Sequence, residues 1–255
     1  MTPPPGILSV GSSVTRPERC SEETFCEWYE NLHVDEVVAL SGVSGAVRYD
    51  AVPFAEVVGQ DGVSQDRASQ DVVSQYGLGK GCCSPLWAGR ASWLTLYEMD
   101  SVEFKETKEF KGLDGQSAPK GNLLDEIFRN ARFETRFGEL VFSDDAGAVG
   151  SRQRAADLLV STTLTPASDA NAEELVKWFK KERVGSFAKL ESYVRTRLFR
   201  LVDTSVLHEF VRRVPDPVGP GGYLALHEFS EGKETMVFKK RREYGRFLDH
   251  SRLIT

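Results

Sequence analysis

The chain repeats itself. At a separation of 150 residues, Leu8 and Val10 in ILSVGSS match Leu158 and Val160 in DLLVSTT. At the same separation, Phe25, Trp28 and Tyr29 in ETFCEWYENLH match Leu175, Trp178 and Phe179 in EELVKWFKKER, and Tyr49 matches Phe199. Further on, WLTLYEM at 93–99 matches YLALHEF at 223–229 with a separation of 130, which sets Glu98 against Glu228. A duplication restricts the fold to what two copies of one unit can build together. The change of separation gives the first copy about 20 residues more than the second between its second and third elements.

The unit is legible in the first copy. Leu8 and Val10 alternate with Ser9, Gly11 and Ser12, the period of a half-buried strand. Ser21 is a natural N-cap, Glu22 and Glu23 suit the positive end of a helix dipole, and Phe25, Trp28, Tyr29 and Leu32 fall at i, i+3, i+4 and i+7. Gly42 and Gly45 mark a turn into a second strand over 46–52, and alternation returns over 92–97. A second helix is expected over 122–129 and a fourth strand over 133–142. The order strand-helix-strand-strand-helix-strand is the ferredoxin-like split unit.

Such a unit has helices on one face of its sheet, so the other face must be buried elsewhere. Two fused copies bury it in each other. The expected fold is α+β: two ferredoxin-like repeats, 1–150 and 151–255, forming an intramolecular, pseudo-dimeric α+β barrel. The closing stretch GKETMVFKKRREYGRFLDHSRLIT must then supply the last helix and strand of the second repeat in shortened form. Residues 53–91 form the insertion of the first repeat, rich in Gly, Ser, Gln and Asp, and read either as a lid or as a surface loop.

Composition narrows the function. Lys and Arg number 32 against 38 Asp and Glu, a net charge of −6 that argues against a nucleic-acid partner. The run Lys239-Lys240-Arg241-Arg242 is followed by Glu243 and reads as a solvated helix face. No stretch approaches the roughly 20 apolar residues of a membrane span, and the start of the chain lacks the regions of a signal peptide, so no membrane partner and a cytoplasmic location are expected. Cys20, Cys26, Cys82 and Cys83 contain no Cys-x-x-Cys and read as reduced thiols. The glycine-rich nucleotide fingerprints, Gly-x-Ser-x-Gly and His-Glu-x-x-His are all absent.

Among four histidines, His33 stands out, four residues beyond Tyr29 on the same side of the helix. An imidazole can take and give a proton near neutral pH, although a histidine at a helix C-terminus can also serve the dipole alone. The pattern Phe25-x-x-Trp28-Tyr29-x-x-x-His33, followed by a Gly-containing turn and Arg48-Tyr49, resembles the EthD-like family of the dimeric α+β barrel superfamily. The resemblance covers 7–52, more loosely 92–100 and 133–142, and in the second half 157–202 and 223–229.

The resemblance implies a tandem-repeat protein of a fungal natural-product pathway, with a small hydrophobic substrate bound between helix and sheet and no redox cofactor or metal. It implies a barrel built from one chain, standing as a monomer or pairing into a homodimer. On this reading His33 is the general acid or base of a lyase or isomerase acting on a polyketide or terpenoid intermediate, by dehydration, cyclisation or a related rearrangement. Tyr29 or Tyr49 would polarise the reacting oxygen, and Asp50 could orient the imidazole. Phe25, Trp28, Trp87, Trp93 and Tyr97 are the expected walls, with His227, which replaces Tyr97 in the second copy, as a further candidate. His33 and Tyr29 become Arg183 and Phe179 in the second copy, so the titratable version of the motif belongs to the first. Three alternatives stay open: a pericyclic cyclase working by pocket shape, a haem-binding barrel with His33 or His227 on the iron, and a ligand-binding barrel without catalysis.

Overall fold

Nine strands form a single sheet that curls until its two ends meet, in a computed structural model that describes residues 3–51, 91–144, 156–166, 172–213, 221–230 and 238–245. The strands are β1 (Gly6–Val14), β2 (Val43–Ala51), β3 (Trp93–Met99), β4 (Ala131–Asp144), β5 (Leu158–Leu164), β6 (Tyr193–His208), β7 (Val211–Arg213), β8 (Tyr223–Phe229) and β9 (Phe238–Gly245). Their order is β4-β1-β3-β2-β9-β5-β8-β6-β7, and β4 also pairs with β6. That last pairing closes an eight-stranded ring, with β7 standing outside it as the hairpin partner of β6. Every pairing between these strands is antiparallel. The arrangement is the fused pair of ferredoxin-like units expected from the duplication: β4-β1-β3-β2 repeats as β9-β5-β8-β6.

The registers refine the internal match. Tyr97 lies between Leu8 and Ala46, and His227 lies between Val160 and Thr196. Leu8 is therefore equivalent to Val160, two residues beyond the match that the sequence alone suggests, whereas the separations in the helices and the other strands hold. A slip of two preserves which side chains face which layer, so the alternation is blind to it.

The helical layer departs further from expectation. Helix α1, residues 22–38, runs as an α-helix over Glu22–Trp28, a wide π-turn over Tyr29–His33 and a final α-turn over Val34–Val38. Ser21 caps it as expected, its Oγ accepting from the Thr24 N–H at 3.1 Å. The extra residue of the wide turn shifts the phase, so Leu32 is 60% exposed while Tyr29, Val34 and Val37 are buried. Between β3 and β4 lie a 3₁₀ turn (Val102–Glu106), a short helix α2 (Lys108–Lys111) and a single wide turn α3 (Leu124–Phe128), where a regular helix over 122–129 was expected. Helix α4, residues 172–187, repeats the wide turn of α1 over Phe179–Val184. The basic run 239–242, expected on a helix face, lies in strand β9, where pairing with both β2 and β5 overrides the local pattern. Among the described residues no helix is long and apolar enough to cross a membrane.

The barrel is filled rather than hollow at its waist. Ile7, Val47, Leu94 and Leu96 from the first half meet Leu159, Phe199, Leu201, Leu224 and Leu226 from the second, all essentially removed from water. Burial of each contributes about 1.5–3 kcal/mol. Gly138 of β4 sits where a Cβ would stand 2.8 Å from the Cβ of Phe199 in β6, so the closing seam needs its missing side chain.

A buried ionic cluster lies inside the same barrel. The Arg197 guanidinium bonds to Glu98 of the first half and, at 2.8 Å, to Glu228 of the second, and Arg195 Nε lies 3.0 Å from the other oxygen of Glu228. Burial opposes the charge on Arg197, but Glu228 and Glu98 outweigh it and the group is held firmly protonated. The two glutamates occupy equivalent positions in the two repeats, and one arginine serves both. Arg197→Met should strand buried carboxylates and cost about 3–5 kcal/mol, read as a lower guanidinium chloride midpoint. The double change Glu98→Gln, Arg197→Met, which leaves Arg195 paired with Glu228, should recover most of that loss in the same measurement.

Candidate functional site

The site lies in the layer between α1 and the outer face of the first half's sheet. Phe25 stacks on Trp93 with centroids 5.2 Å apart, Trp28 stacks on the His33 ring at 4.9 Å, and Tyr29 meets that ring edge-on at 5.2 Å. Tyr97, rising from β3, donates its hydroxyl to Tyr29 Oη at 3.3 Å. The wide turn of α1 spans Tyr29–His33 and keeps both residues on the side of the helix that faces the sheet.

Arg48 of β2 fixes the floor. Its side chain is fully buried, with the guanidinium 4.2 Å from the centre of the Tyr29 ring and 5.1 Å from that of Trp93. Thr95 Oγ1 accepts from it at 3.3 Å, and a Glu30 carboxylate oxygen stands 3.3 Å from Nε. Cation–π contact and a counter-charge make such burial tolerable.

Beside these groups opens a small cavity of about 50 Å³. His33, Tyr29 and Tyr97 line one side, Asp114 and Gln116 another, and Ser205, Leu207 and Arg212 come from β6 and β7 of the second half. The site is therefore walled by both repeats. Burial pushes the His33 pKa down to about 4, with Arg48 acting the same way and Asp114 in opposition. The imidazole is neutral at pH 7. Its Nδ1 is sealed from solvent and has no hydrogen-bond partner among the described residues. A buried polar nitrogen left unbonded costs about 1–3 kcal/mol, which a bound group or a water in the cavity would offset.

The structure thus brings together Phe25, Trp28, Tyr29, His33, Trp93 and Tyr97. It does not bring Tyr49, whose side chain points into the barrel on the opposite face of β2 and donates to the Ala156 carbonyl at 3.3 Å. Burial, with Glu228 nearby, holds that phenol far above its ordinary pKa. Asp50 is paired in register with Trp93, four residues along β3 from Tyr97 and so roughly 13 Å from it, and does not orient His33. His227 belongs to the second half's layer. Thr196 Oγ1 lies 2.8 Å from its Nδ1, Phe187 and Phe179 pack on its ring, and burial, then Arg183, pushes its pKa down to about 3. Arg183, in the place of His33, lies over Trp178 at 5.5 Å. Trp87, the insertion 53–90 and Cys82-Cys83 lie outside the described residues. Among those described, no group of three or more His, Cys, Asp or Glu is placed to hold a metal ion.

Sequence reasoning misses several members of the site. Arg48 stands in the quoted motif but alternation alone does not tell which face needs a charge. Asp114 and Gln116 sit in an irregular turn, and Ser205, Leu207 and Arg212 arrive from the other repeat, so neither periodicity nor the internal match points to them.

No family model matches the chain, and no curated protein does. Solved structures similar to it include an anthrone oxidase-like protein, with 10% identity over 90% of this chain and 74% of that one and a TM-score of 0.45. Another is a monooxygenase candidate from Fusobacterium nucleatum, with 11% identity over 97% of this chain and all of that one and a TM-score of 0.39.

The two depressed histidines make stability depend on pH. Unfolded, each takes a proton near pH 6.5, whereas folded, His33 resists to about 4 and His227 to about 3. The unfolded state then binds more protons, so stability is complete above pH 6.5 and is lost as pH falls through that window. His227→Tyr should lose about 2 kcal/mol less than the wild type between pH 6.5 and 4.5, measured by urea unfolding at each pH.

Proposed function

We propose that the protein is an enzyme that moves a proton on a small hydrophobic molecule held between α1 and the sheet, as a lyase or isomerase, with His33 as the base. The observation that supports it is a neutral His33, its Nδ1 without a hydrogen-bond partner among the described residues, in the wall of a cavity with aromatic sides. Tyr97 donates to Tyr29, which leaves the Tyr29 hydroxyl proton free to be offered to a substrate oxygen.

Dehydration of a β-hydroxy ketone shows how the parts would act. His33 takes the proton from the carbon beside the carbonyl, and the electron pair of that C–H bond passes to the carbonyl oxygen, stabilised by Tyr29. The resulting enolate expels the β-hydroxyl as the imidazolium returns its proton to it, releasing water and an enone. A conjugate acid near 4 is a strong acid for that second transfer, which suits elimination of a poor leaving group. Cyclisation and isomerisation of polyketide- or terpenoid-type intermediates draw on the same pair of transfers. The cavity accommodates the reacting atoms only, and the rest of a substrate needs its rim to open.

4-Hydroxy-4-phenylbutan-2-one is a suitable probe, since its dehydration product absorbs in the near ultraviolet. The wild type should accelerate that dehydration, with kcat/KM falling below about pH 4 as His33 protonates. His33→Ala should reduce the rate by about 10²-fold or more and Tyr29→Phe by about tenfold. An unchanged rate in His33→Ala would remove the histidine from the mechanism.

A further inference from the structure

We propose that the substrate of the His33 cavity carries a carboxylate or similar planar oxyanion and that Arg212, supplied by the second repeat, binds it. The inference rests on the proposed function in taking this cavity as the substrate's.

Arg212 stands on β7, and its contacts are all neutral. Its guanidinium donates to the Gly115 carbonyl at 3.0 Å, to Gln116 Oε1 at 3.3 Å and to Ser205 Oγ at 3.5 Å. All three partners line the cavity, so the guanidinium lies across its rim. No acidic side chain among the described residues forms an ion pair with it. Asp114, the carboxylate of the same wall, commits Oδ1 to the Lys120 N–H and acts on His33. The guanidinium fork matches a carboxylate in a bidentate fashion, and charge-assisted bonds are about twice as strong as the neutral ones it now makes. Exchange of the Gly115 and Gln116 acceptors for a substrate oxyanion would also release the rim, which a molecule larger than 50 Å³ requires.

The hairpin is built to present that group. Glu209 and Phe210 form its turn with φ of 51° and 63°, values that cost non-glycine residues about 1–2 kcal/mol each. Contacts to the first half hold the turn: Phe210 packs edge-on against Phe128 at 5.9 Å, and Arg16 pairs with Glu209 at 2.6 Å. A strained turn kept in place by the first repeat positions Arg212 over a cavity that both repeats wall.

The test compares benzoate with benzamide, which share a shape and differ in charge, by quenching of tryptophan fluorescence, Trp28 being stacked on His33. At pH 7 the wild type should bind benzoate about tenfold or more tightly than benzamide. Arg212→Gln should bind both alike, at the wild type's affinity for benzamide, and Arg212→Lys should recover part of the preference. Equal binding of the two probes by the wild type would overturn this inference and leave the proton-transfer reading standing, as would a preference that survives in Arg212→Gln. Binding of neither probe would overturn both.

Discussion

The closing contact between β4 and β6 is the constraint on which the rest depends. A ferredoxin-like sheet with helices on one side leaves its other face bare, and here each bare face is covered by the other repeat. Closure by β4–β6 on one side and by β2–β9 on the other removes the open edges of the ring and seals Ile7, Leu96, Phe199 and Leu226 into a common core. β6 outruns its neighbour β8, stays paired with β4 to His208 and turns back as β7, which is how the second repeat acquires a wall of the first repeat's cavity. The seam runs into the site, where Ser205 and Leu207 pair with Thr135 and Phe133.

Charge is distributed with the same economy. Arg197 is buried between two glutamates, Arg48 between aromatic rings and Glu30, and in both places a neighbouring charge or π-face offsets the loss of water. At His33 the Trp28 face and Asp114 do not outweigh burial, and the ring gives up its charge instead. The outcome is a neutral imidazole beside a fixed cation, with the hydroxyls of Tyr29 and Tyr97 bonded to each other close by. The second repeat keeps the layer but not this arrangement: its histidine is tied to Thr196 and packed by Phe187.

Much of this was legible beforehand, for physical reasons that also mark where legibility ends. The duplication, the alternating strands and the aromatic stripe of Phe25, Trp28 and Tyr29 are periodic, and periodicity survives without knowledge of tertiary contacts. Leu32 was misplaced because a wide turn adds a residue that a regular 3.6 period cannot express. The two-residue slip of β5 was invisible because it changes no facing. Tyr49 and Asp50 were separated from His33 by the third dimension alone: one points into the barrel and the other lies too far along the strand. Arg212 could be found only from the closed ring, since nothing local links residues 114–116 to 205–212.

The place of β9 in the ring has a consequence for how the chain reaches its native state on the ribosome. β9 is inserted between β2 and β5, joining segments some 190 residues apart in sequence. Until it emerges, the first repeat can assemble its own layer, but the outer edge of β2 faces water unpaired, beside core side chains that have nothing yet to cover them. Long-range antiparallel closure is slow because loop entropy must be overcome before the contacts reward it. Nascent chains are therefore most open to pairing with one another in the interval before the last strand arrives, and the rate of translation through the second repeat sets how long that interval lasts.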